Sequence, residues 1–193
     1  MYTARTPHEF PAIRAIRADG TRPRTLATRY HGSTAGVTDR LVVFDQQEIR
    51  RNVGLYSDLH LLDRDTGEVT PLTVEARLLD PDLSRDGRTV VAVRQQRGER
   101  HLVVMALSED YAGERHLGPA RTLAAEHDTQ FNAPRWSPDG SQIAAERHRL
   151  NALPEIVIVD VSTGAMRVAA SSAAHRIVTP AWRPDGGAVI AAA

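Results

Sequence analysis

Arg135-Trp136-Ser137-Pro138-Asp139-Gly140 occurs three times along the chain in recognisable form. The other copies are Asp82-Leu83-Ser84-Arg85-Asp86-Gly87 and Ala181-Trp182-Arg183-Pro184-Asp185-Gly186, with their aspartates 53 and 46 residues apart. A proline precedes each copy, at Pro81, Pro134 and Pro180, and an apolar run follows each, over 90–93, 143–145 and 189–193. The pattern predicts a strand, a tight turn and a second strand. Proline presets φ, the aspartate can accept from its own backbone two residues on, and glycine takes the positive φ.

A second signature interleaves with the first. Leu59-His60-Leu61-Leu62-Asp63-Arg64-Asp65-Thr66-Gly67 matches Ile156-Val157-Ile158-Val159-Asp160-Val161-Ser162-Thr163-Gly164, and a weaker copy ends at Asp19-Gly20. Each reads as a strand, a Gly-bearing turn and another short strand. Together the two signatures give units of about 46 to 53 residues with four strands each, the signature of propeller blades. No sustained helical stripe competes, and the segments 111–114 and 124–127 read as loops.

The expected fold is all-β, a propeller of four-stranded antiparallel blades whose strands run A to D from the axis outward. Residues 1–11 read as an N-terminal extension. Residues 12–29 supply C and D of a first blade, 33–74, 78–124 and 130–170 three whole blades, and 177–193 only A and B of a fifth. In the second blade Val37-Thr38-Asp39-Arg40 replaces the Asp-Gly turn. The inventory is about four blade-equivalents: half, three and half.

Composition narrows the function classes. The 193 residues carry 24 basic against 24 acidic side chains, so no net field draws the chain to nucleic acid. All the basic residues are arginine, and cysteine is absent, which removes disulfides, thiolate metal sites and a cysteine nucleophile. No apolar run reaches the ~18 residues of a membrane span, and the opening residues lack the apolar core of a secretory signal.

Trp-Ser-Pro-Asp-Gly followed by a strand and Val-Asp-x-x-Thr-Gly resembles the TolB-like, WD-like repeat of bacterial β-propellers. Similar blades occur in the propellers of prolyl oligopeptidase-type and metallopeptidase-linked proteins. The likeness runs from about residue 12 to the end and is weakest in the blade from Ser33. It implies a non-catalytic scaffold that binds a protein or peptide, with the periplasm or cell envelope as its setting. The alternative is the accessory, substrate-gating propeller of a larger hydrolase or peptidase whose catalytic domain lies outside this chain, as a covalently linked neighbour. Six blades, as the resemblance implies for TolB, would need about 280 residues. The chain is therefore either part of a larger propeller, the favoured reading, or a four-blade ring closed by pairing 178–193 with 12–29.

Several candidate residues have structural readings. Trp136 and Trp182 are expected between blades. Asp86, Asp139 and Asp185, with Gly87, Gly140 and Gly186, are expected to shape turns. Asp63-Arg64-Asp65-Thr66-Gly67-Glu68 begins like a calcium loop but lacks the third oxygen before its glycine and the acidic twelfth position, which is Val74. Gly32-Ser33-Thr34-Ala35-Gly36 misses a nucleophile elbow, having Thr34 where the serine belongs. The histidines, His8, His31, His60, His101, His116, His127, His148 and His175, form no His-Glu-x-x-His motif. His60 and His101 read as polar positions at the start of third strands, and His31, His127 and His175 as residues of the links between blades. No metal, cofactor or catalytic group is expected.

The arginine-rich segments between strands B and C, 46–52, 94–100 and 146–151, are the exception. In propellers the B–C and D–A connections emerge on one face, so these segments would gather guanidiniums suited to gripping carboxylates. The candidate partner-binding residues are Arg51, Arg94, Arg97, Arg147 and Arg149, with Asp128, Gln130 and Asn132 on the same face. Glu48, Glu99 and Glu146 are placed to neutralise them locally.

Overall fold

The runs at 41–44, 90–93 and 143–145 do not alternate as half-buried strands would, because each strand is buried on both faces. Val90 and Ala92 pack toward Leu41, Val43, Leu59 and Leu61 of the preceding blade. Val91 and Val93, one residue out of phase, pack toward Phe131, Ile143, Ala145 and Val157 of the next. A smaller cluster of Ile13, Ala27, Val42, Phe44 and Leu62 joins the first two sheets. Each fully buried valine or leucine contributes about 1.5–3 kcal/mol, so the contacts between blades form the core.

A computed structural model of the chain describes residues 2–6, 9–30, 32, 34–52 and 54–193. The first sheet holds β1 (Tyr2–Thr6), β2 (Glu9–Ala15) and β3 (Arg24–Thr28). The second holds β4 (Ala35–Val37), β5 (Leu41–Arg50), β6 (Gly54–Asp63) and β7 (Val69–Pro71). The third blade is β8 (Leu78–Leu83), β9 (Thr89–Gln96) and β10 (Glu99–Glu109), with β11 (Arg115–Leu117) and β12 (Arg121–Ala124) both paired to β10. The fourth is β13 (Thr129–Trp136), β14 (Gln142–Arg149), β15 (Glu155–Asp160) and β16 (Met166–Ala170), followed by the pair β17 (Val178–Trp182) and β18 (Val189–Ala192). There is no helix among the described residues. The partial β-propeller expected from the repeat is what the chain forms.

Three expectations need correction. Residues 1–11 are not an extension ahead of the sheet: β1 pairs antiparallel with β2, so the first sheet has three strands rather than two. Backbone pairing builds β1 without any apolar run to announce it. Two of the arginine-rich B–C segments are not loops, since β5–β6 pairs as far as Arg50↔Gly54 and β9–β10 as far as Gln96↔Glu99, while the third leaves its strand after Arg149. Polar side chains there reflect projection into solvent, while the ladder continues beneath them. His60 consequently lies well inside β6, buried and stacked on Phe44 at 5.6 Å between ring centroids. Among the described residues the β17–β18 pair and the β1–β3 sheet share no ladder, so the joint blade that would close a four-blade ring is not formed there.

The repeat turn is held by a shared hydrogen-bond pattern. Ser137 Oγ donates to Asp139 Oδ1 at 2.6 Å and accepts from Gln142 N–H at 2.9 Å, while Ser141 N–H donates to Asp139 Oδ1 at 3.0 Å. Ser84, Asp86 and Thr89 repeat this geometry. At the third copy, Arg183 takes the serine's place and its guanidinium binds Asp185. Gly87, Gly140 and Gly186 have φ of 71°, 74° and 73°, which side chains resist. These bonds hold the Asp139 carboxyl at about 2. In the second blade Arg64 instead ties the turn, donating to the carbonyls of Thr38 and Asp39.

The prolines mark a second device. Asp80, Ala133 and Thr179, each preceding one of them, have φ of 50°, 45° and 52°, and each sits at a break in register of its A strand. The bulge turns the N–H out of the ladder toward a carboxylate of the preceding blade. Asp80 N–H donates to Asp45 Oδ2 at 3.3 Å, Ala133 N–H to Asp80 Oδ2 at 3.2 Å, and Thr179 N–H to Glu146 Oε1 at 2.7 Å. Trp136 N–H also donates to Asp82 Oδ2 at 2.8 Å, and Trp182 Nε1 to Arg135 O at 3.0 Å. The sheets are thus stitched one to the next near the axis. The buried Arg29 completes the series by binding Asp45.

Candidate functional site

Hydrogen bonds between B–C hairpins and D–A links place both on one face. Leu150 N–H donates to Asp128 O at 3.0 Å, Ile177 N–H donates to Pro154 O at 3.1 Å, and Arg51 pairs with Glu75. The tip of β9–β10 is the two-residue turn Arg97-Gly98 with φ of 51° and 85°, the hairpin turn whose twist matches its strands. Between this tip, the link at 127–130 and the loop at 150–154 lies a cleft of about 580 Å³.

The cleft brings together four of the eight candidate residues: Arg97, Asp128, Gln130 and Arg149. The other four are engaged elsewhere. Arg51 forms a two-pronged pair with Glu75 at 3.1 and 2.8 Å. Arg94 donates to Thr122 Oγ1 at 3.2 Å. Arg147, with a side chain only 12% exposed, is held between Glu155 at 2.7 Å and Glu126 at 3.1 Å. Asn132 accepts from Arg100.

The carboxylates around the cleft are largely occupied as well. Glu99 accepts from His101 at 2.9 Å and lies 3.2 Å from His127 Nδ1, and the His101 bond holds its carboxyl below the usual range. Burial would raise Glu146, but bonds from His148 at 2.8 Å and from Thr179 N–H outweigh it and lower the group. Glu155 serves Arg147 and also Arg149, at 3.1 Å. Arg97 and Arg176 are both exposed and make no hydrogen bond or ion pair among the described residues. Arg176 was missed by sequence reasoning because it stands alone in a segment of small residues. His127 and His148 also line the cleft, whereas His175 does not. His8, His31 and Ser33 lie outside the described residues.

Two clefts of about 700 and 720 Å³ open near the repeat turns on other parts of the surface, lined in part by Asp86, Asp139 and Gly140. Those aspartates are committed to their turns by the bonds given above. Asp63, in the calcium-like segment, accepts from Asp65 N–H at 2.9 Å and from Arg40 at 2.9 Å, the bonding of a hairpin turn. Thr34 Oγ1 donates to Pro81 O at 3.4 Å. Asp110, Glu114 and His116 have ligand-type atoms within 4.8 Å of one another, but all three are exposed. Asp110 Oδ1 already accepts from Ala112 and Glu114 N–H.

No protein-family model matches the chain, and no curated protein matches it by sequence. Solved structures do match. TolB from Acinetobacter baumannii superposes with a TM-score of 0.69 at 16% identity, over 94% of this chain and 42% of that one. A gluconolactonase from Xanthomonas campestris gives 0.66 at 14% identity, over 94% and 62%. The tricorn protease gives 0.63 at 12% identity, over 93% and 22%. At these identities the likeness is one of fold, and the chain spans less than half of the TolB it matches. The fold is that of a TolB-like propeller.

Proposed function

We propose, from the TolB-like propeller fold, that the chain is a non-catalytic scaffold that binds a protein or peptide on the face of its B–C hairpins and D–A links. The observation that carries this reading is the cleft between the third and fourth blades. It collects Arg97, Asp128, Gln130 and Arg149 from separate parts of the chain, and Arg97 makes no hydrogen bond or ion pair among the described residues. Side chains on hydrogen-bonded hairpins keep their places before a partner arrives, which lowers the ordering cost of association. Reversing charge at Arg97, Arg149 and Arg176 together should reduce capture of the partner by the immobilised chain. Unchanged capture by the folded variant removes this face from the account.

The alternative is an accessory propeller beside the catalytic domain of a larger hydrolase or peptidase, a reading supported by the match to the tricorn protease. Either function suits a bacterial envelope setting. Reading the coding sequence on both sides of these residues separates them. A catalytic motif there favours the accessory propeller, and further Asp-Gly blades alone favour the scaffold.

A further inference from the structure

Resting on the binding face proposed above, we infer that the cleft between the third and fourth blades recognises an acidic peptide segment of a partner protein, with an apolar side chain beside its carboxylate. The lining has a cationic and an apolar side. Of the residues lining the cleft, Arg97, Arg149 and Arg176 are cationic and Glu99 and Asp128 anionic. From behind the lining Glu155 reaches Arg149 at 3.1 Å and Glu146, already bound by His148 and Thr179 N–H, attracts Arg176, so Arg97 is the guanidinium left without a carboxylate. Glu99 is shared by His101 and His127, while Asp128 has His127 Nε2 at 3.5 Å. Arg149 keeps a half-exposed side chain despite its contact with Glu155. The net opportunity is therefore for an incoming anion, and planar guanidiniums match carboxylates with paired hydrogen bonds.

Leu150 and Leu153 supply the apolar side, 68% and 41% exposed, above the buried Pro154. Isolated leucines on a surface carry no message, but these two lie in the same cleft as Arg97, Arg149 and Arg176. The volume of about 580 Å³ suits a few side chains rather than a folded domain. The walls are fixed by the Leu150–Asp128 and Ile177–Pro154 backbone bonds and by the Arg97-Gly98 turn. No Phe, Tyr or Trp lines the cleft, and the chain carries no net charge to attract a phosphate polymer. A carboxylate flanked by an apolar residue uses both sides.

The test is selection of a random nonapeptide display library on the immobilised chain, followed by fluorescence polarisation with the best synthetic peptide. Enriched sequences should place Asp or Glu next to Leu, Ile or Phe. Affinity should fall several-fold between 50 and 300 mM salt, roughly as screening of exposed charges requires. Arg97→Glu with Arg176→Glu should weaken binding by about tenfold or more, equivalent to ~1.4 kcal/mol. Arg97→Gln with Arg176→Gln should give an intermediate loss, with melting curves confirming that both proteins fold. The inference is overturned by a selection with no enriched peptide or no acidic preference, or by peptides that bind the charge-reversed protein equally well. Enriched non-acidic peptides that are lost on changing Ile49 and Leu55, at the β5–β6 tip, would overturn it while leaving the wider face as the binding surface.

Discussion

Asp82 offers a test of how the blades are joined. Its carboxylate faces the fourth blade, accepting Trp136 N–H at 2.8 Å, and burial pushes its pKa from 3.8 up to about 6 against the opposing pull of Arg135. A carboxyl raised in the folded state binds its proton more tightly there than in the unfolded chain. The stability it confers is full below pH 3.8 and is lost as pH rises through 6. At ~1.4 kcal/mol per unit the full shift corresponds to about 3 kcal/mol, and partial access of water to the group reduces this to between about 1 and 3 kcal/mol. Asp45, raised by burial, acts in the same direction, whereas Asp139 and Asp160, held at about 2, lose their contribution only as pH falls below 4. The perturbation is Asp82→Asn, which keeps an oxygen acceptor for Trp136 and removes the charge. Urea unfolding followed by tryptophan fluorescence between pH 4.5 and 7.5 gives the stability of each protein. Histidine titrations are common to both and cancel in the difference. Because ionisation of the unfolded chain near 3.8 has already removed part of the effect by pH 4.5, the wild type should lose about 1–2 kcal/mol more than the variant across this range, and the variant should be the more stable at pH 7. Parallel pH profiles, or a variant less stable at every pH, would refute the reasoning.

Two further substitutions test the stitches and the turns. Glu146→Ala removes the acceptor for Thr179 N–H and the partner of His148, and should cost about 1–3 kcal/mol in the same unfolding assay, with Glu146→Gln costing less because it keeps an oxygen. Gly140→Ala places a side chain at φ 74° and should cost about 1–2 kcal/mol, read as a lowered urea midpoint without a change in slope.

The turns and the blade order were legible because their chemistry is local. An aspartate and a glycine at fixed offsets make the same turn wherever they recur, and a strand buried on both faces has to be apolar throughout. The stitches were not legible. Asp80, Ala133 and Thr179 share no side-chain type, and only the prolines after them hint that these positions match. Asp45 and Glu146 do occupy equivalent register positions, four residues after Leu41 and Gln142, but Val93 fills that place in the third blade and Asp80 supplies the acceptor instead. A pattern whose acceptor moves from one strand to another between repeats has no fixed spacing to find. The binding face was half legible. Arginine enrichment marked the hairpin segments, yet which guanidiniums remain available depends on Glu75 and Glu126, more than 20 residues from the arginines they bind, and on Glu155 across the hairpin. Arg176 enters only because Ile177 docks on Pro154.

Partner capture compared between two charge reversals tests the central claim most directly. One protein carries Arg97→Glu, Arg149→Glu and Arg176→Glu on the hairpin face, and the other carries Arg85→Glu and Arg88→Glu at the repeat turn, where both arginines are exposed. With both shown to be folded, the first should lose most of the captured partner and the second should keep it. Loss confined to the second protein, or equal capture by both, would contradict the assignment of the binding face.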